Sequence, residues 1–410
     1  MADLPMQSSD DVVTFVVALT LVALLIVGVV ERRRNRRHLA AVPLRISVNG
    51  SRGKSTVTRL LTGALAEGGR RPLGKTTGTE PKLLLGWSGE EVDVHRRPEG
   101  PNISEQRLVN HRAVQEAADT LVVECMAIDP EYQLTFHRDL LDVNLLLICN
   151  ALDDHLDEMG PTIDDVAEVF AASIPFGGKL VVIADRLLPT YTEVARERGT
   201  EVLVADPDAV DEDYLAGFDH LVLADHVALV LAVTRDLGIP DEVAMRGMRK
   251  APVDRYAMRV VPVGDPDDPA FFVNGFAAND PTSTLAVWKH LADRSLPTDA
   301  LTVIVNCRED RMNRTQLFAR DVLPHLPIDV LVVVGGQTGP ILQAVADGDV
   351  QAAEVIDLTD QPPERAVEAL DGQLSGRIVY GVGNLHGGGT QLVAALEALA
   401  VDTSTTRGAA

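Results

Sequence analysis

Aromatic side chains make up only 4% of the 410 residues, and cysteine occurs three times, at Cys125, Cys149 and Cys307, with no C-x-x-C pair. An odd number of widely spaced cysteines, each ending an apolar run, excludes a disulfide framework or a cysteine zinc site and fits reduced, half-buried thiols. Positive charge is also scarce: 37 Lys and Arg face 60 Asp and Glu, a net charge of −23. That balance excludes a general nucleic-acid surface, whose footprint is basic, so no nucleic-acid partner is expected and an acidic substrate needs a dedicated pocket. Long hydrophobic runs are missing with one exception near the N-terminus, and no stretch repeats another. The 46% apolar and 24% charged residues exclude disorder for most of the chain, which is long enough for two or three domains.

The exception is Val12 to Val30, 19 residues without a charge. As a helix it spans about 28 Å, close to a bilayer's hydrocarbon thickness. Arg32, Arg33, Arg34, Arg36 and Arg37 follow it, whereas Asp3, Asp10 and Asp11 precede it. The positive-inside bias therefore predicts a single-pass protein of the cell membrane with its body in the cytoplasm. A cleaved signal peptide would carry its basic residues before the run and a small-residue cleavage site after it, and the chain has neither.

Just beyond, LRISVNGSRGKST at 44–56 combines an apolar run, a glycine turn and a Lys-Ser pair in the order that phosphate binding requires. Leu44 to Val48 reads as a buried strand. Gly50 and Gly53 permit backbone conformations and approaches that side chains would block, letting the amides of Ser51 to Ser55 converge on an anion. The residues expected to hold a nucleotide are Asn49, Gly50, Ser51, Arg52, Gly53, Lys54, Ser55 and Thr56, with Lys54 on the β/γ-phosphates and Ser55 on Mg²⁺. The helix from Thr56 to Glu67 turns Val57, Leu60, Leu61, Ala64 and Leu65 to the core and stops at Gly68-Gly69.

From 120 to 205, apolar runs (LVVEC, VNLLLIC, KLVVIA, EVLVA) alternate with helical patterns such as Ile163 to Ala172, which predicts βαβ units and a mainly parallel sheet. Ligands then collect at the strands' C-terminal ends, where Glu124 and the cluster Asp153, Asp154 and His155 stand as candidate metal ligands beside Ser55. LGKTTGTEPKLLLGW and RPEGPNISEQR read as long active-site loops that offer Thr76, Thr77, Thr79, Asn102 and Glu105 as substrate contacts. The pattern breaks near Ala251-Pro252, and after a VGDPDDPA loop a second α/β alternation begins with FFVNGF. Arg308, Arg311 and Arg314 recur every three residues in CREDRMNRTQ and form a candidate basic patch for an anionic substrate, or pair with Glu309 and Asp310. GVGNLHGGGT at 381–390 is either a nucleotide-facing loop or a plain strand–helix turn. The expected domains are an anchor with a basic juxtamembrane segment at 1–40, an ATP-binding domain at 41–255, a smaller α/β domain at 256–402 and a disordered tail at 403–410.

Together these stretches resemble the Mur-type ATP-dependent amide ligases, and within them the membrane-anchored poly-γ-glutamate synthase branch. NGSRGKST is similar to the Mur-type phosphate loop, Glu124 sits where these ligases carry a metal-binding glutamate, and NALDDHLDE is similar to their N-x-x-x-D-H-L-D segment, with His155 toward a second metal. FAANDP at 276–281 resembles their nucleotide-contacting motif and adds Asn279. Three departures stand out: the domain for a uridine nucleotide is missing, Phe170 occupies the region of the lysine that many relatives carbamylate, and Asn274-Gly275 replaces an aspartate.

The resemblance implies a P-loop Mur-ligase-like central domain, a Rossmann-like C-terminal domain, and ATP and Mg²⁺ as cofactors. It implies Lys54, Glu124 and His155 as catalytic residues, glutamate and a growing polyglutamate chain as substrates, and a small integral-membrane partner subunit. The implied reaction activates a glutamate carboxylate as an acyl phosphate for attack by an amine. Two rival readings are a membrane-anchored nucleotide switch or transport ATPase, and a folylpolyglutamate-type ligase. Glutamate-dependent ADP release separates the first and product length the second.

Overall fold

The computed structural model describes residues 9–401 apart from 79, 95, 97–99, 153–154, 279, 294–299 and 371–373. The expectations placed on Thr79, Asn279, Asp153, Asp154 and the 403–410 tail lie outside the described residues. Two compact units divide the chain, Met1–Glu212 with Leu223–Pro252, and Asp213–Val222 with Val253–Ala410.

The first helix, α1 (Ser9–Ala40), carries the apolar run and continues unbroken through the arginines. Among the described residues it is the one helix long and apolar enough to cross a membrane, and its run from Val12 to Val30 is exposed. Its last turns do the opposite. Asn35 and Leu39, four residues apart on one face, are 5% and 2% exposed against the body, so the juxtamembrane segment is also part of the first unit's core.

That unit is built on a sheet of β1 (Leu44–Asn49), β2 (Pro72–Lys75), β3 (Lys82–Leu85), β4 (Glu90–Asp93), β5 (Thr120–Glu124), β6 (Leu145–Ile148), β7 (Lys179–Ile183) and β8 (Glu201–Ala205). The order is β4-β3-β2-β5-β1-β6-β7-β8, and β3 alone runs against the other strands. The phosphate-loop helix α2 (Lys54–Glu67) buries all five of its expected core residues. The crossovers are α3 (Glu105–Gln115), α4 (Pro130–Thr135) with a π-helical turn at Phe136–Leu140, α5 (Leu156–Met159), α6 (Ile163–Ala171) and α7 (Leu188–Glu197). The chain then leaves for the second unit through the short α8 (Glu212–Ala216), and on its return α9 (Ala224–Asp236) and α10 (Asp241–Lys250) cover α2.

Two segments expected to be loops hold regular secondary structure. Residues 72–85 form the β2–β3 pair, with β2 inserted between β5 and β3, and 105–115 are helical. PLGK has no β-branched residue and is buried on both faces, so it shows none of the alternation by which a strand is read. The VGDPDDPA segment is likewise a hairpin of β9 (Val260–Asp265) and β10 (Asp268–Asn274), paired in register across its turn.

In the second unit these two join β11 (Leu301–Cys307), β12 (Ile328–Gly335), β13 (Ala352–Thr359) and β14 (Ile378–Gly383) in the order β13-β12-β11-β14-β10-β9, with only β9 antiparallel. Helices α11 (Pro281–Asp293), α12 (Met312–Asp321) and α13 (Gly339–Asp347) cover one face through Val287, Leu291, Phe318 and Ile341. The other face packs under α14 (Arg365–Ala369) and α15 (Gly389–Glu397) through Ala366, Leu370, Leu392 and Leu396. The neighbours β11 and β14 therefore send their following helices to opposite faces, which opens a crevice at their C-terminal ends.

Candidate active site

The loop between β1 and α2 is held in shape from several sides. Gly50 has φ 125° and Gly53 φ 82°, in the left-handed region that favours glycine. A Cβ on Gly50 would lie 2.9 Å from Asn150 O, and one on Gly53 would lie 2.5 Å from His226 Nε2. Asn150, just after β6, accepts the Arg52 amide through Oδ1 (3.0 Å) and the Ser51 amide through its carbonyl (3.1 Å). Asn49 accepts the Gly50 amide (2.9 Å) and donates to Gln133 Oε1 (3.0 Å). The Lys54 ammonium donates to the carbonyls of Gly50 (2.6 Å) and Ser51 (2.9 Å), bridging the loop it starts from.

Beside this loop, the parallel pairing of β1 with β5 sets Val48 opposite Glu124 and so brings Glu124 to the start of α2. The Ser55 hydroxyl donates to Glu124 Oε2 (2.9 Å), which also accepts the Thr77 amide (2.8 Å). Glu124 is 4% exposed. A cavity of about 240 Å³ opens there, lined by Asn49, Gly50, Ser51, Arg52, Lys54, Thr77, Arg96, Glu124, Gln133 and His155 among others. His155, exposed and with φ 55°, reaches this cavity from the segment after β6.

Gly53, Ser55 and Thr56 begin or cap α2 at the same edge. Thr76 is buried and accepts the Lys82 amide at the turn into β3. Asn102 lies outside the cavity lining and accepts the Ser104 amide at the start of α3 (2.8 Å). Phe170 lines the cavity's inner wall.

Two oxygen donors, the Ser55 hydroxyl and the Glu124 carboxylate, adjoin the glycine cradle, and such donors suit a hard divalent cation. Among the described residues, no group of three or more His, Cys, Asp or Glu converges. Burial pushes the thiols of Cys125, Cys149 and Cys307 up to about 12, so none supplies a thiolate. All three are unpaired, as expected, but fully rather than half buried.

Several site residues gave no signal in the sequence. Lys75 at the end of β2 is wholly buried with Nζ 3.5 Å from Glu105 Oε2, and desolvation holds its pKa below the usual lysine value against the opposing pull of Glu105. Glu105, offered as a substrate contact, instead joins Lys75 to Arg96 (3.3 Å), whose Nη2 donates to Thr77 O. Asn150, Gln133 and His226 reach the loop from β6, α4 and α9, and only the Asn150 in NALDDHLDE had a sequence cue.

In the second unit, the arginine triplet does not form one helical face. Arg308 precedes a 3₁₀ turn and pairs bidentately with Asp310 (2.9 and 2.8 Å), Arg311 ends that turn, and Arg314 on α12 donates to Asn384 Oδ1 (2.6 Å). Asn384 belongs to the glycine-rich segment after β14, and a Cβ on Gly387 would touch Arg308. The arginines and this loop thus meet at the β11/β14 crevice, where Asn306 Nδ2 donates to Asn384 O (2.5 Å).

The folylpolyglutamate synthase/dihydrofolate synthase of Yersinia pestis, solved with AMPPNP and a manganese ion, superposes with a TM-score of 0.65 at 16% identity, covering 89% of this chain and 92% of its own. MurF of Acinetobacter baumannii gives 0.61 at 15%, covering 91% and 80%. The fold is that of the Mur-type ATP-dependent amide ligases, with a phosphate-loop site at the edge of its first sheet. Residues 260–399 match the family described as the poly-gamma-glutamate synthase CapB C-terminal domain. The PGA synthase CapB of Bacillus subtilis is 43% identical over 370 residues, 90% of this chain and 94% of that protein. The capsule biosynthesis protein CapB of Bacillus anthracis is 44% identical over 379 residues, 92% and 82%. The chain belongs to the CapB family.

Proposed function

We propose that the chain polymerises glutamate into poly-γ-glutamate, with α1 as a membrane anchor and the two units in the cytoplasm. The observation that carries this reading is the Ser55–Glu124 hydrogen bond beside Lys54 in a glycine-built cradle, within a chain of the CapB family. A carboxylate is a poor acyl donor. An oxygen of the donor carboxylate attacks the γ-phosphorus of ATP, the β–γ bridging bond breaks, and ADP leaves. The glutamate amine, having lost a proton, attacks the acyl carbon of the acyl phosphate, and inorganic phosphate departs as the amide forms.

The loop amides and Lys54 hold the phosphates, Lys54 exchanging its two loop carbonyls for phosphate oxygens. Ser55, Glu124 and His155 would hold Mg²⁺, which neutralises phosphate charge when bound. Arg96 at the cavity, and Arg308, Arg311 and Arg314 in the second unit, are the basic groups offered to acidic substrates. One span cannot enclose an export path, so a small integral-membrane subunit is the proposed partner. Hydroxylamine, which captures acyl phosphates as hydroxamates, tests the chemistry. Wild-type protein with ATP, Mg²⁺ and oligoglutamate yields hydroxamate, whereas Glu124→Ala and His155→Ala yield little while still binding nucleotide. Trapping at the wild-type rate in both variants removes the metal assignment.

A further inference from the structure

We propose that the edge of the first sheet opposite the phosphate loop is a lipid-docking ledge that seats the body on anionic headgroups; this rests on α1 being a membrane anchor. The helix has no hinge between its apolar run and the body. Glu31 and Arg32, the first two residues after Val30, lie within about 3 Å of the run's end along the axis. Each is fixed to the body, Glu31 to Arg107 on α3 and Arg32 to Asp139 on the π-helical turn, both at 3.0 Å. Asn35 completes the joint, donating to Leu140 O (3.1 Å) and accepting from Asn110 (2.9 Å). The polar layer of a bilayer is about 5–8 Å deep on each side, so groups held by residues 31 and 32 lie inside it.

What the body presents at that level suits such a layer. Leu108, next to Arg107, is 73% exposed, and Phe176, in the turn before β7, is 71% exposed. The guanidinium carbons of Arg138 and Arg198 lie 6.0 and 5.0 Å from the Phe176 ring, so the aromatic group projects between two cations. Neither arginine makes a direct ion pair among the described residues, Glu197 acting on Arg198 only from a distance; Arg138 donates to Ala172 O (3.3 Å), and Arg198 to Ala172 O (3.1 Å) among the carbonyls ending α6. The carboxylates at this edge, Glu31, Asp139, Asp142 and Glu201, are each paired with an arginine or lysine, and the ledge adjoins five arginines that follow the span. Anionic headgroups match it, since they attract arginine while the interface accepts aromatic rings. The ledge lies where β1, β6 and β7 begin, and the phosphate loop lies where β1 ends, about 20 Å away along a six-residue strand. The catalytic edge therefore faces the cytosol.

A nitroxide label on Phe176→Cys tests this, because the three native cysteines are buried and do not compete. Full-length protein is reconstituted in nanodiscs of phosphatidylcholine with or without phosphatidylglycerol, with separate labels on Leu24→Cys for the span and Val204→Cys for an exposed part of the body. In anionic discs the 176 label is expected to show severalfold greater accessibility to oxygen relative to a water-soluble nickel complex than the 204 label. Neutral discs, or Arg138→Glu in the same background, lower that ratio. If label 24 reports hydrocarbon while label 176 matches label 204, the anchor stands and the ledge is overturned, leaving a protein partner as its occupant. Equal protection in neutral and anionic discs overturns the headgroup preference. If label 24 itself reports water, the anchor reading has failed and the ledge with it.

Discussion

Replacing Gly53 by alanine isolates the contribution of one backbone position to nucleotide binding. The residue has φ 82°, and the new Cβ would lie 2.5 Å from His226 Nε2. Holding an L-residue in the left-handed region costs about 1–2 kcal/mol. Displacing the imidazole also breaks its 3.3 Å bond to the Leu223 amide, worth about 0.5–1.5 kcal/mol. A loop that relaxes to escape both must be restored when ATP binds, so the combined cost of about 2–3 kcal/mol lowers affinity roughly 30- to 150-fold. Gly69, just beyond the other end of the same helix, is the control: its φ is 84° but no atom lies within 4 Å of its Cβ position. Gly69→Ala should cost about 1 kcal/mol of stability and leave binding intact. In a His226→Ala background only the backbone part remains, and Gly53→Ala should then weaken binding by about tenfold. Titration with a fluorescent ATP analogue reads the wild type and all four variants. Equal losses in the two backgrounds, or wild-type affinity in Gly53→Ala, would refute the assignment of the strain to this contact.

Lys54→Ala is expected to abolish glutamate-dependent ADP release with an unchanged circular dichroism spectrum, because its ammonium contacts only loop carbonyls; retained turnover would remove it from the site. His137, wholly buried with its pKa lowered to about 4 chiefly by desolvation, donates from Nδ1 to Gln133 O (2.7 Å) and accepts Ser47 through Nε2 (3.0 Å). Its folded pKa lies below its unfolded value of 6.5, so the unfolded state binds the extra proton and stability falls as pH drops from about 6.5 toward 4, by about 3 kcal/mol in all. Protection factors of the β1 amides, referred to intrinsic exchange at each pH, should fall across that window and fall less in His137→Gln; identical acid sensitivity in the two proteins rejects the assignment. Deleting residues 1–40 should destabilise the first unit relative to deleting 1–30, since Leu39 alone buries about 2–3 kcal/mol of apolar side chain; matching urea midpoints would count against that packing. A reporter fused after Ala410 is expected to be cytoplasmic, and protease access to it from outside intact cells would reverse the topology.

The sequence by itself determined what depends on short-range order. NGSRGKST announces its turn because glycine, lysine and serine act through local backbone geometry, and α2 announces its buried face because the 3.6-residue period lies within fourteen residues. Glu124 was legible because a charged residue ending an apolar strand of a parallel sheet must arrive at the same edge as the phosphate loop. Only the tertiary structure decided what meets that edge from afar. His226 reaches Gly53 across more than 170 positions, and Lys75, Glu105 and Arg96 form a network from three separate segments, so no spacing rule connects them. The strands β2, β3 and β4 escaped notice because four-residue strands held by their neighbours need no alternation of their own. The arginine triplet left two outcomes open, a common face or pairing with Glu309 and Asp310; Arg308 takes the second with Asp310, and Asn384 draws Arg314 to a separate partner. Hydropathy found the end of the apolar run at Val30, whereas the packing of Asn35 and Leu39 made the following turns part of the ligase body, because burial depends on what a helix face meets in space.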